Sequence, residues 1–274
     1  METFDRKRAD AYARELRLLT LECIASIGVG HVGGSLSICD LLGVLYHFEM
    51  RIDPANPKWP ERDRLVLSKG HAGPALYAAL AQRGYFPTGE LLTLNTLGTK
   101  LPSHCDMNKT PGVDMTAGSL GQGFACSVGI ALAARARCWD ARTFAIIGDG
   151  ESQEGQIWEA AMLAASKKLS NLIAFTDWNG MQIDGLTKDV NDLGDLPAKW
   201  RAFGWDVAVI DGHDTQAIYD AIQAVKAVEG KPHMIVMKTV KGKGVSFVEA
   251  AGAANHSMPI TPEQLELARQ ELSA

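Results

Sequence analysis

Two polar turns in this 274-residue chain carry residue types that could do chemistry. Gly148-Asp149-Gly150 follows the apolar run Thr143 to Ile147, and Asp177-Trp178-Asn179-Gly180 follows a second apolar run, Leu172 to Thr176. Between them, Gly155 to Lys168 places Ile157, Ala161, Ala164 and Ala165 near helical spacing. Strand, acidic turn, helix, strand and polar turn make a βαβ unit over Phe144 to Ile183. Such a unit implies parallel strands and a right-handed crossover. Both strands then end on the same sheet edge, where ligands of open α/β sheets bind. Asp149 and Asn179, thirty positions apart, arrive there side by side. A carboxylate, an amide oxygen and a nearby backbone carbonyl form a hard-oxygen half-shell. That shell suits Mg²⁺ when phosphate oxygens and water complete the octahedron. Gly148 and Gly150 let a diphosphate approach the backbone closely.

His31, His71 and His104 each lie in a glycine- or proline-containing loop behind an apolar segment. A neutral imidazole both donates and accepts, which suits hydroxyl recognition and proton shuttling. His256 lies in Ala254-Asn255-His256-Ser257. Lys241 and Lys243, in a Gly/Lys loop, could approach phosphate but read first as solvated loop lysines. His47, His213 and His233 read as structural, with His213 capping a turn in Asp211-Gly212-His213-Asp214.

The elements that must position these groups alternate along the chain. Helices are expected at Arg8 to Ile27, Ile38 to Phe48, Pro74 to Arg83, from the Gly118 to Gly123 segment to Arg135, at Pro197 to Phe203 and at Thr215 to Val228. A last helix starts with Thr261 as N-cap and Pro262 at its first position. Strands are expected at Arg64 to Leu67, Trp205 to Ile210 and His233 to Thr239, besides the two above. Asp184 to Asp195 reads as a polar surface loop. The alternation predicts one doubly wound α/β domain over 1–274, a mostly parallel sheet with helices on both faces. The segment Gly28 to Gly34 is glycine-rich but does not fit the dinucleotide fingerprint.

The totals exclude several classes. Net charge is −5 with no basic patch, which argues against nucleic acid as a partner. The longest apolar run, around Ala125 to Ala134, is too short to span a bilayer, and the charged N-terminus is no signal peptide. Five cysteines form no CxxC pair, so reduced, buried thiols in a cytoplasmic protein are expected.

GDG, then 28 residues, then Asn resembles the thiamine diphosphate motif of transketolase-like enzymes. GHVGGSLS, LSKGHAGPALYAAL, LPSHCD and PGVDMTAGSLGQGFACSVGIALA resemble successive transketolase segments in order. Trp178-Asn179 stands where the family usually has Asn-Asn, and Ser119 where it often has proline. The resemblance implies Asp149, Asn179 and the Met181 backbone carbonyl as Mg²⁺ ligands. It implies Gly148, Gly150, His71 and His256 at the cofactor diphosphate. It sets the Gly118 carbonyl at the aminopyrimidine, with Leu120 packing on the cofactor and Ile183 on the thiazolium. His31 and His104 would contact sugar hydroxyls. Glu154 would join a network with an activating glutamate from a partner, with Glu159 an interface acid near it. Without the resemblance, both glutamates read as a solvated helix face.

The resemblance covers only the first half of a full transketolase. It therefore implies the diphosphate-binding subunit of a split transketolase, moving a two-carbon ketol unit from a ketose, usually phosphorylated, to an aldose. The implied partner is a second subunit with pyrimidine-binding and C-terminal domains, two copies of each chain assembling together. Three alternatives stay open: the E1 component of a 2-oxo acid dehydrogenase, a non-catalytic cofactor-binding module, and a specialist for apulose phosphate or a sulfonated sugar.

Overall fold

The computed structural model describes residues 2–273, so the expected domain of 1–274 reaches one residue beyond the described chain at each end. Five strands form the central sheet: β1 (Arg64–Leu67), β2 (Thr143–Gly148), β3 (Leu172–Trp178), β4 (Asp206–Asp211) and β5 (His233–Lys238). Their spatial order is β1-β2-β3-β5-β4, and every pairing is parallel. The expected strands are thus present, and the sheet is wholly parallel. The inner strands are buried along most of their length, as near-continuous apolar runs require.

The side-chain alternation of these strands feeds two cores. Phe144, Ile146, Ile173, Phe175, Ile235 and Met237 face one layer. That layer contains α1 (Arg6–Ala25), α2 (Cys39–Val44), α3 (Gly73–Arg83), α7 (Thr215–Lys226) and α8 (Pro262–Ser273). Ala145, Ile147, Leu172, Ala174, Met234 and Val236 face the other, formed by α4 (Gln122–Ala136), α5 (Gly155–Ser166) and α6 (Leu196–Ala202). Phe124, Trp200 and Trp205 fill that second core.

Caps set several helix starts. Asp5 accepts from the Arg8 amide at α1, and Asp214 accepts from the Gln216 and Ala217 amides at α7. At α8, Thr261 Oγ1 accepts from Gln264 N at 3.2 Å and Gln264 Oε1 accepts from Thr261 N at 2.9 Å, a reciprocal capping box.

The boundaries differ from expectation in three places. The helix expected over Ile38 to Phe48 is α-helical only to Val44, then widens into a π turn over Leu45–Glu49. The helix expected from the Gly118 segment begins at Gln122, because Gly121 takes a left-handed φ of 82° and breaks the approach. The polar stretch Asp184 to Asp195 holds part of a small hairpin, Met181–Gln182 with Gly185–Leu186, and a short helix, Thr187–Asn191. Far apart in sequence, Val29 and Gly30 pair with Pro259 and Met258 in a short antiparallel bridge. All five cysteines are free, but Cys138 is exposed and Cys126 half-buried, so the expectation of burial holds for Cys23, Cys39 and Cys105. Among the described residues, no helix is long and apolar enough to cross a membrane.

Candidate functional site

The carboxyl ends of β1, β2, β3 and β5 converge on a cavity of about 270 Å³. β1 delivers Lys69 and His71, β2 delivers Gly148-Asp149-Gly150, β3 delivers Asp177 and Asn179, and the turn after β5 delivers Lys241. Loops add His31, His104, Gly118, Leu120, Met181, Ile183 and His256. The loop bearing His71 lies close on the one bearing Gly118. A Cβ on Gly70 would stand 2.5 Å from the Ala117 carbonyl oxygen.

The sequence-predicted residues are therefore brought together, with one exception. Glu154 does not line the cavity. It is the exposed residue just before α5. Glu159 is exposed as well, on the outer side of the same helix.

The four histidines form a connected group. The His31 ring lies 5.4 Å from His71, 5.5 Å from His104 and 5.2 Å from His256, and His71 lies 5.0 Å from His256. Burial and the nearby cations disfavour the charged form of three of them, His31, His71 and His256. His31 is lowered by burial, His104 and Lys241, and His71 falls well below the usual histidine range through burial and Lys69. Burial and Lys241 bring His256 down to about 4.

Lys241 corrects the expectation of a solvated loop lysine. It is only 4% exposed, and its Nζ stands 3.3 Å from His256 Nδ1. Among the described residues it has no carboxylate partner. Burial and Lys69 lower it to about 8. Lys243 is only half-buried. A buried ammonium without a counter-anion, beside histidines held neutral, fits an anionic group such as a diphosphate. A Cβ built on Gly148 or Gly118 would meet its neighbours at ordinary van der Waals distance, 3.8 Å and 3.9 Å, so crowding by the protein does not demand glycine at either position.

Asp149 presents the opposite deficit. It is 1% exposed and accepts from Gly150 N at 2.8 Å, Gly180 N at 2.7 Å and Thr187 Oγ1 at 3.2 Å. No described cation pairs with it. Burial, then the Asp177 carboxylate, push its carboxyl up to about 6. Asn179 Oδ1 accepts from Met181 N at 3.1 Å, leaving its second lone pair free. A buried carboxylate without a cation, beside an amide oxygen, fits a hard divalent ion whose other ligands come from phosphate and water. Among the described residues, no three His, Cys, Asp or Glu side chains form a metal cluster of their own.

Three further buried groups escaped the sequence reading. Lys69 Nζ donates to Asp177 Oδ2 and to the Gly34 carbonyl, both at 2.6 Å. Asp177 also accepts from Ser37 Oγ at 2.7 Å, Asn179 Nδ2 at 3.1 Å and Thr239 Oγ1. Burial opposes its charge, but Lys69 and these donors hold its carboxyl below the usual range. Glu151 Oε1 accepts from Ser68 Oγ at 2.5 Å and Gly121 N at 2.8 Å, and Oε2 from Gly148 N at 3.1 Å. It thereby ties the ends of β1 and β2 to the start of α4. The lysine of SKGHA and the first acid of DWNG were the available signals.

The sequence matches the family described as "Transketolase, thiamine diphosphate binding domain" over residues 8–274. SqwG of Clostridium sp. (strain MSTE9), a subunit of a 6-deoxy-6-sulfo-D-fructose transketolase, is 60% identical over 260 residues, 95% of this chain and 94% of that one. An apulose-4-phosphate transketolase subunit from Phocaeicola vulgatus is 39% identical over 92% of this chain and 89% of that one. The solved transketolase of Campylobacter jejuni superposes with a TM-score of 0.92 at 31% identity, over 98% of this chain. The chain spans only 43% of that longer protein.

Proposed function

This chain belongs to the transketolase family as a thiamine diphosphate-binding domain, and from that membership we propose that it is the N-terminal subunit of a two-chain transketolase. Its donor is a sulfonated ketose of the 6-deoxy-6-sulfo-D-fructose class. The observation that carries the reading is the meeting of the GDG turn, Asn179 and four histidines at one cavity, in a chain 60% identical to a subunit of that name. The identity to the apulose-phosphate subunits is much lower, at 39% and 38%.

In this reading Asp149, Asn179 and the Met181 carbonyl hold Mg²⁺. The Gly148 to Gly150 backbone, His71, His256 and Lys241 hold the diphosphate. Gly118, Leu120 and Ile183 border the thiamine rings. When bound, thiamine diphosphate supplies the carbon nucleophile that carries a two-carbon ketol unit. The chain's own part is electrostatic and positional. Asp149 would answer the charge of the metal, and Lys241 that of the diphosphate. Burial keeps His31 and His71 uncharged, so that His31 both donates to and accepts from sugar hydroxyls. His104, at the cavity mouth, meets the sugar with it.

The second subunit supplies the pyrimidine-binding and C-terminal domains. Glu159, Met162 and Leu163 share one side of α5, where the two apolar side chains stay 54% and 44% exposed. That side, with Glu154 at its start, suits burial against a partner. Two copies of each chain give two equivalent sites under twofold symmetry. Five free thiols suit a cytoplasmic setting.

The test is to purify this chain and its companion separately and follow ketol transfer to an aldose with Mg²⁺ and thiamine diphosphate. No turnover is expected from this chain alone, and turnover is expected on mixing. Sustained turnover without the companion would overturn the two-chain reading. Equal use of fructose 6-phosphate and its sulfonated analogue would overturn the donor assignment.

A further inference from the structure

Lys241 is held in the cavity from behind. Its loop runs from Thr239 to Gly244 and makes backbone contacts to a buried polar group outside the cavity. Val240 N donates to His213 Nε2 at 2.8 Å. Because Nε2 accepts, Nδ1 carries the proton, and it donates to Asp40 Oδ2 at 2.8 Å. Arg17 donates to the same carboxylate oxygen through Nη2. Its Nε donates to the Lys243 carbonyl at 2.9 Å. Arg17 and Asp40 are buried, from α1 and α2, and His213 lies in the turn between β4 and α7. Two distant segments thus hold the residues on either side of Lys241, and Asp40 from a third joins them to each other.

The packing leaves the loop little freedom. Gly212 lies against the loop's first residue, where a Cβ would stand 2.5 Å from Thr239 Cγ2. Gly242, at φ +90°, would put a Cβ 2.6 Å from Val248 Cγ1. Its amide donates to the Gly33 carbonyl at 3.0 Å, and Asn255 Nδ2 donates to the Lys241 carbonyl at 3.0 Å. With the His213 and Arg17 contacts, these bonds fix the backbone at Val240, Lys241, Gly242 and Lys243. A buried ammonium without a carboxylate partner gains by swinging toward water. Keeping it inward requires that its backbone be fixed.

We propose that His213, oriented by Asp40 and Arg17, is a positioning residue that fixes Lys241 at the diphosphate end of the cavity. His213 does not line the cavity, and its direct bond to the loop is the one from the Val240 amide. The inference rests on Lys241 meeting the diphosphate, as proposed above. It assigns a task to a histidine that otherwise reads as a turn cap.

Two measurements test it. The first is hydrogen exchange of the Thr239 to Gly244 amides in the purified chain, without cofactor. His213→Leu removes the acceptor and should raise exchange there by about tenfold, with β2 and β3 unchanged. His213→Gln, whose amide oxygen reaches Val240, should restore protection, and His213→Asn, too short to reach, should not. Equal protection in the Gln and Asn variants overturns the proposal even if the Leu variant fails to fold. The second is thiamine diphosphate affinity, with Mg²⁺, in the two-chain enzyme by calorimetry. His213→Leu should weaken it by about 5–20-fold, and Lys241→Met by at least as much. The double variant should match Lys241→Met within about twofold, because His213 acts only through Lys241. Losses that multiply overturn the proposal. If Lys241→Met leaves affinity unchanged, the diphosphate contact is wrong, and the positioning proposal falls with it. The exchange result would then report only whether His213 holds the loop.

Discussion

Two carboxylates face the cavity from neighbouring strand ends and meet opposite conditions. Gly148, just before Asp149, pairs in register with Asp177. Both acids are buried. Asp177 has Lys69 and three neutral donors, and its carboxyl is held below the usual range. Asp149 has only two amides and one hydroxyl, and its carboxyl rises to about 6. The Asp177 wall is electrostatically complete within the chain, whereas the Asp149 wall is complete only when a cation arrives. Proximity to the cavity alone does not mark a ligand. An unanswered charge does, and Lys241 is the matching buried cation without a carboxylate partner among the described residues.

Lys69→Met tests the finished wall. It strands a buried carboxylate, so unfolding stability should fall by ~3–5 kcal/mol in a urea melt. A loss under about 1 kcal/mol would show that the two walls do not differ as described. Asp149→Ala tests the unfinished one. Cofactor-free stability should hold or rise slightly, while calorimetry in the assembled enzyme shows thiamine diphosphate–Mg²⁺ affinity down by about a hundredfold, ~3 kcal/mol. Normal affinity in that variant would remove the metal assignment.

The histidines sharpen the division further. His71→Ala should weaken the cofactor by about tenfold, whereas His31→Ala and His104→Ala should lower kcat/KM for the ketose by a similar factor at unchanged cofactor affinity. A reversed pattern for His31 would show that it belongs to the diphosphate end. A smaller effect comes from pH. Lys241 loses its charge as pH climbs through about 8, so cofactor affinity should fall between pH 7 and 9, and Lys241→Met should flatten that dependence. The stability of the cofactor-free chain moves the other way. The unfolded lysine, near 10.5, binds the proton more tightly, so this group makes folding more favourable as pH rises from about 8 to 10.5. The smallest effect is expected at Lys243→Ala, with affinity within about twofold of the parent.

Much of this was legible in the sequence. The βαβ unit announced itself through two apolar runs, a helical period and two polar turns, and parallel geometry then forced Asp149 and Asn179 together. His31, His71 and His104 stood out because their loops were short and rich in glycine or proline. Lys241 was misread because loop lysines are ordinarily solvated, and its burial depends on Gly33 and Asn255, remote in sequence. Lys69 and Glu151 lay within recognised motifs, yet Lys69 pairs with an acid 108 positions away and Glu151 accepts from Ser68 and Gly121, and no spacing rule reveals contacts so remote in sequence. The left-handed Gly121 and the π turn at Leu45–Glu49 leave no periodic signature, which is why those helix boundaries shifted.

The short bridge between Val29-Gly30 and Met258-Pro259 has a consequence for how the protein is made. His31 and His256, whose rings stand 5.2 Å apart, are joined by the ribosome 225 residues apart. At roughly 5–20 residues per second, the first waits about 11–45 s for the second. During that interval Val29 and Gly30 lack their bridge partners, and the strand-end cavity lacks His256. The inner strand β5, which joins β3 to β4, also comes late, so sheet and cavity are completed together near the end of synthesis.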